Sequence, residues 1–109
     1  MSDPLKDERM REILRQAGAS FLEYTSNKTS LITVTSVVLQ DRGARAIFLV
    51  TVFPDDKEAE ALEFLKRQRS DLRAFIEKET RLTRIPLVDF ALDLGEKNRQ
   101  RIDALSNNS

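Results

Sequence analysis

Leu31-Ile-Thr-Val-Thr-Ser-Val-Val-Leu-Gln40, then Asp41-Arg42-Gly43, then Ala44-Arg-Ala-Ile-Phe-Leu-Val-Thr-Val-Phe53 is the stretch that decides the fold. Its two longer segments are rich in β-branched residues, which suit a pleated, half-buried surface. The link between them is a turn, with a glycine for an awkward φ angle. Two strands this close in sequence read as an antiparallel hairpin, with room for a bulge. In the second strand, alanines aside, only Arg45 and Thr51 break the bulky apolar run, so it is expected to be the more buried of the two.

Outward from the hairpin, the apolar period changes from two to between three and four. Met10, Ile13, Leu14, Ala17, Phe21, Leu22 and Tyr24 predict an amphipathic helix over 5–24, with Asp7, Glu8, Arg9, Arg11, Glu12 and Arg15 on its other face. Gly18 lies inside that pattern and weakens it by up to about 1 kcal/mol relative to alanine, which makes it a candidate for a close packing contact. Phe21 and Tyr24 are expected to pack the helix on the sheet. After Phe53, Pro54 stops the strand, and Asp55 with Glu58 has the spacing of a capping box. A helix is expected from about Asp56 to Gln68 with Ala59, Leu62 and Leu65 inward. The period falters at Arg69. Ser70-Asp71 then supplies a fresh N-cap, and Leu72, Phe75, Ile76 and Leu82 resume an apolar face. Two short helices with a kink at Gln68-Arg69-Ser70 are therefore expected. Residues 85–93 read as a third strand with Val88, Phe90 and Leu92 on one side. Gly95 breaks the chain, a last short helix over 96–105 uses Ile102 and Leu105, and residues 106–109 are expected to be a disordered tail. Phe48, Phe53, Phe64, Phe75 and Phe90 are assigned to the core. The order αββααβ gives one two-layer α+β domain over residues 1–105, a small three-stranded sheet with helices on one face.

Composition narrows the chemistry. The 109 residues contain no cysteine, histidine or tryptophan. That excludes disulfides, thiolate metal sites and thiol catalysis, and removes the usual general base and the commonest metal ligand. Asp89 and Asp93 lie four apart on a strand, roughly 13 Å along it, too far for a two-carboxylate glycosidase pair or for bridging one metal. They read as edge charges or salt-bridge partners. No glycine-rich phosphate loop is present. A non-enzymatic protein without cofactor or metal is expected. No apolar run approaches the ~20 residues of a membrane span, and the acidic, polar N-terminus does not suit a signal peptide, so a cytoplasmic location is expected.

The 18 basic and 18 acidic residues cancel, but not locally. Asp55, Asp56, Glu58, Glu60 and Glu63 face Lys57 alone. From Lys66 to Arg84, seven cations (Lys66, Arg67, Arg69, Arg73, Lys78, Arg81 and Arg84) outnumber Asp71, Glu77 and Glu79. Solvated helix faces would account for such runs. The functional reading is a local anion-binding surface. Arginine's planar fork holds phosphate oxygens or stacks on a base, and a helix start at the kink adds N–H donors. Asp71 at that helix start opposes phosphate. An aromatic stacking platform is not expected, because no aromatic pair carries basic neighbours.

The ordered residues resemble the ribosome-binding factor A family. Glu8-Arg9-Met10 is similar to that family's opening of the first helix, Thr33-Val34-Thr35-Ser36-Val37 to its first strand, and Ala44-Arg45-Ala46 with Ile47-Phe48-Leu49-Val50 to its second. Leu72-Arg73, Arg81-Leu82 and Pro86 match a further run. Pro86-Leu87-Val88-Asp89-Phe90-Ala91-Leu92-Asp93 matches the third strand with proline, phenylalanine and aspartate in register. The resemblance covers roughly residues 8–105. It departs at the kink, where Gln68-Arg69-Ser70 replaces an Ala-x-Gly, and in the hairpin, where Arg42-Gly43 replaces an Asp-Leu pair.

The resemblance implies a type II KH-like fold. It also implies a factor that binds the immature small (30S) ribosomal subunit and its 16S rRNA and assists rRNA maturation and 5′-end processing. On this reading the RNA-binding residues are Lys66, Arg67, Arg69, Ser70, Arg73, Lys78, Arg81 and Arg84. No membrane or small-molecule partner is expected, and the chain is expected to be a monomer. A KH-like protein-interaction module that has lost rRNA binding is the alternative, favoured by net neutrality and the altered kink.

Overall fold

A computed structural model describes residues 4–25 and 28–107, with side chains over 5–25 and 28–100. The elements are α1 (Pro4–Tyr24), β1 (Leu31–Gln40), β2 (Arg45–Phe53), α2 (Glu58–Arg67), α3 (Arg69–Glu79), β3 (Leu87–Leu92) and α4 (Leu94–Asn107). β1 and β2 pair antiparallel from Leu31 opposite Phe53 to Gln40 opposite Arg45. The link Asp41–Gly43 is a single 3-10 turn in which Asp41, Arg42 and Gly43 all have positive φ, at 52°, 57° and 85°. Glycine takes the last and largest of these without the Cβ penalty other residues carry there.

β3 lies parallel to β2, from Arg45 opposite Leu87 to Val50 opposite Leu92, and the strand order is β1-β2-β3. Parallel strands need a long crossover, which α2 and α3 supply. β2 is the central strand, and its buried residues Ala46, Phe48, Val50 and Val52 alternate strictly. In β1 the alternation breaks. Val34 and Val37, three apart, are both buried, because the register shifts between Val34 and Ser36. The extra residue, Thr35, is a β-bulge that changes the parity of the strand in its middle.

The helical layer packs on one face of this sheet. α1 lies against β1 and touches α3, while α2 and α3 lie against β3. Leu14, Phe48, Leu65, Leu72 and Ile76 are fully buried, and the core among the described residues holds no buried polar or charged side chain. Gly18 lets α1 approach the sheet: a Cβ there would sit 2.8 Å from the Phe48 ring. The Phe48 ring in turn meets Phe90 at 5.7 Å between centroids, and Phe21 meets Phe75 at 5.6 Å. None of the described helices is long and apolar enough to cross a membrane.

The structure corrects several local expectations. Asp55–Lys57 forms a 3-10 turn that delays α2 to Glu58, so Lys57 takes the cap position and no capping box forms. Ala61, one turn before Leu65, is buried instead of Ala59, which is exposed on a different helix face. Ser70 does not cap α3; Gln68 does, without a side-chain hydrogen bond, and Ser70 is its second residue. Leu82 is half-buried in the loop after α3, beyond the end of the helix.

Phe53 is 71% exposed because the period of two turns it away from buried Val52, and Tyr24 is 82% exposed. Gly95 lies within the first turn of α4 and does not break the chain. α4 starts earlier than expected, at Leu94, and is described through Asn107; the side chains of Ile102 and Leu105, and residues 108–109, lie outside the described residues.

Candidate nucleic-acid interface

The cationic segment is distributed by the helix pair that follows β2. α2 carries Lys66 and Arg67 in its last turn, where positive charge complements the helix dipole. Both are exposed, and neither side chain has a partner among the described residues. The kink is one residue long. Gln68 has φ −95° and ψ 4°, its N–H donates to the Leu65 carbonyl, and its carbonyl accepts from the Leu72 N–H. A single non-helical residue therefore joins the helices, with one hydrogen bond to each of them.

Arg69, the first residue of α3, is turned back on the protein. Its Nε donates to the Lys66 carbonyl at 3.0 Å, and Nη1 lies 3.6 Å from Asp89 Oδ1 on β3. Arg73 is committed further. Its Nε donates to the Pro86 carbonyl at 3.0 Å and Nη2 to the Ile85 carbonyl at 3.3 Å. These bonds tie α3 to the segment that enters β3, just where Pro86 withholds an N–H. Arg73 thus commits the Nε–Nη2 edge of its guanidinium, one of the edges that could hold phosphate oxygens, to the fold.

Ser70, Arg73 and Arg84 line one open groove of about 500 Å³, together with Ala74 and Glu77. Arg81 lies apart from them, in a second groove of about 580 Å³ between α1 and α3. Lys78, in the last turn of α3, is exposed and borders neither. The eight residues therefore divide into the exposed pair Lys66 and Arg67 at the end of α2, Arg69 paired with Asp89, the groove residues Ser70, Arg73 and Arg84, and Lys78 and Arg81 beyond them. Asp71 is exposed in the first turn of α3, and Glu77 and Glu79 each line a groove, so carboxylates interrupt the positive surface.

Asp89 and Asp93 have separate structural roles. Asp89 pairs with Arg69, and its Oδ1 accepts from the Phe90 N–H. Asp93 caps α4, accepting from the Glu96 N–H at 3.0 Å, and its other oxygen accepts from Thr35 Oγ1 at 2.5 Å. The Thr35 hydroxyl first, and then the Glu96 N–H, hold the Asp93 carboxyl below its ordinary pKa.

A third cationic surface was not singled out from the sequence. Arg9, Arg11 and Arg15 of α1 face the bulge of β1 across a groove of about 630 Å³ that also contains Glu8 and Glu12. Arg15 grips Glu12 through Nε at 2.9 Å and Nη2 at 2.5 Å, and these bonds, with one from Gln16, lower the exposed Glu12 carboxyl to about 2. The three arginines at spacings of two and four were the available signal, but nothing local to α1 shows that β1 lies opposite them.

The geometry can be set beside known proteins. The crystal structure of ribosome-binding factor A from Thermus thermophilus is similar to this chain, with TM-score 0.71 and 26% identity over 78% of this chain and 92% of that one. A Thermus thermophilus ribosome-binding factor A homology model, fitted into a cryo-EM map of its complex with the 30S subunit, is 28% identical. Its TM-score is 0.64, over 72% of this chain and 86% of that one. The solution NMR structure of a Thermotoga maritima protein, 23% identical over 80% of this chain and 82% of that one, shares the fold with TM-score 0.58. No curated protein matches significantly. The family model described as Ribosome-binding factor A matches residues 6–106, nearly the whole αββααβα unit, and the chain belongs to that family.

Proposed function

We propose that this protein binds the immature small ribosomal subunit and holds a precursor conformation of its 16S rRNA, so that folding and 5′-end processing proceed. The observation that carries the reading is the exposed cationic pair Lys66 and Arg67 at the α2–α3 junction, in a chain that belongs to a family of ribosome-binding factors. A similar Thermus thermophilus protein has been placed in a complex with the 30S subunit. The action is conformational: a factor that binds an immature rRNA state better than the mature one shifts the population toward the state it fits. Bond-making chemistry is not part of the proposal. The factor works as a cytoplasmic monomer, its KH-like unit spanning residues 1–105. Lys66 and Arg67 contact phosphate first, Arg69, Ser70 and Arg84 extend the contact along α3, and Lys78 and Arg81 continue it at the far end.

The test is co-sedimentation with purified small subunits, mature and immature, across a salt series. Preferential binding to immature particles is expected, weakening with salt. Each phosphate neutralised adds about −0.7 to the log–log slope for single-stranded contacts, so the six cations named would give a slope of about −4. No binding at low salt would overturn the reading.

A further inference from the structure

Tyr24 is the sole tyrosine of a chain without tryptophan. It closes α1 and is the most exposed large apolar side chain among the described residues, at 82%. It borders the groove of about 580 Å³ between α1 and α3, within the roughly 300–1,000 Å³ range of small-ligand sites. The groove is apolar along one part of its wall, where half-buried Phe75, braced by Phe21, lies with Ile13 and buried Ala17. Arg81 lines it too, and Gln16 and Glu79 add a carboxamide and a carboxylate.

We propose that this groove is a binding site for one unpaired base of an RNA strand. The inference rests on the rRNA reading above and names a part of its ligand. Aromatic side chains bind bases by stacking, each stack being worth about 1–3 kcal/mol. Arg81 supplies a guanidinium that either stacks on the base or meets its phosphate. Glu79 repels phosphate but accepts hydrogen bonds from base amino and imino groups, and Gln16 both donates and accepts. The charge in the groove thus favours a base edge beside Glu79 and a backbone on the Arg81 side. A helical protein segment would need a continuous apolar stripe, and Gln16, Ser20, Glu79, Thr80 and Arg81 interrupt one. α3 is 11 residues, ~16 Å, long, so a strand that contacts Lys66 and Arg67 has only that helix to follow before reaching Tyr24.

Because Tyr24 is the only tyrosine, its emission reports on this groove alone. The full chain is titrated with a short single-stranded RNA and with an abasic ribose-phosphate strand of equal length, correcting for absorption by the RNA. Saturable quenching by the RNA and none by the abasic strand is expected. Anisotropy of the labelled RNA should show Tyr24→Ala weakening binding roughly 5- to 150-fold, the loss of one stack, with Tyr24→Phe close to the parent. Both variants should keep the parent melting temperature. Equal quenching by both strands, unchanged emission on RNA binding, or an unaffected Tyr24→Ala would each overturn the site. A chain that sediments with small subunits while RNA leaves Tyr24 emission unchanged keeps the ribosomal reading and loses this one. A chain that fails both assays loses both.

Discussion

Thr35 and Asp93, 58 residues apart in sequence, meet at 2.5 Å through a hydroxyl-to-carboxylate hydrogen bond that joins the bulge of β1 to the cap of α4. Thr35 Oγ1 also lies 3.2 Å from the Leu49 carbonyl oxygen, and the Asp93 N–H donates to the Val50 carbonyl, so the contact spans β2. The bulge thus has a side-chain role as well as a parity role.

Replacing Asp93 by alanine removes a helix cap and a charge-assisted hydrogen bond together. A loss of about 1–3 kcal/mol in urea unfolding is expected. Thr35→Val, which leaves the cap in place, should cost less. The pH dependence has a definite sign. The folded pKa of Asp93 lies below its ordinary value of about 3.9, so its contribution is fully present above that value. It is lost as pH falls through the lower, folded value. Asp93→Asn should flatten the acid side of the stability profile; an unchanged profile would show that this carboxylate is not linked to folding.

Gly18 makes a second, sharper prediction. Alanine there gains up to about 1 kcal/mol of helix propensity, yet its Cβ would lie 2.8 and 2.9 Å from two atoms of the fully buried Phe48 ring. Overpacking of this kind costs about 1–3 kcal/mol, so the collision is expected to win and Gly18→Ala to be destabilising. Combining it with Phe48→Leu should give less than the sum of the two losses, measured as a double-mutant cycle. A stabilised Gly18→Ala would mean that α1 can move off the sheet at little cost.

The parts of this fold that were legible in the sequence are those set by local pattern. The β-branched run placed β1 over Leu31–Gln40, the lapse of period at Arg69 placed the α2–α3 kink, and Gly18 in an apolar face marked a close contact. What stayed hidden depends on partners distant along the chain. The capping box gave way to a 3-10 turn and a bond from Lys97, 39 residues on, to Glu58. Phe53 belongs to the core by its residue type alone, whereas its parity beside Val52 sends it outward. In the cationic segment, charge was legible but availability was not. Only the tertiary structure shows Arg73 spent on two carbonyls and Arg81 set beside Tyr24 and Phe75.

The same Lys97–Glu58 pair predicts how α4 is anchored. The bond is 2.9 Å long, and the two side chains are only 25% and 18% exposed, so it is better shielded than an open surface pair. Lys97→Ala should lower global stability by no more than about 1 kcal/mol. Its larger effect should be local: backbone amides after Glu96 should exchange faster while those of β2 keep their protection. Unchanged exchange in α4 would show that the Asp93 cap alone holds the helix.

Arg73 and the pair Lys66–Arg67 should separate folding from binding. Arg73→Ala strips partners from two backbone carbonyls at the entrance to β3, and a loss of about 1–3 kcal/mol is expected. Lys66 and Arg67 are exposed and unpartnered among the described residues, so reversing both to glutamate should cost only about 1 kcal/mol, the charge–dipole energy at the end of α2. On small subunits the ranking should reverse. The Lys66→Glu, Arg67→Glu double variant should bind much more weakly and with a shallower salt slope, because it removes phosphate contacts and adds repulsion. Arg73→Ala, assayed well below its melting temperature, should keep most of the parent's affinity and salt slope. If instead it abolishes binding while remaining folded, the guanidinium must leave the Ile85 and Pro86 carbonyls to grip RNA, and α3 would have to shift against β3 on the ribosome.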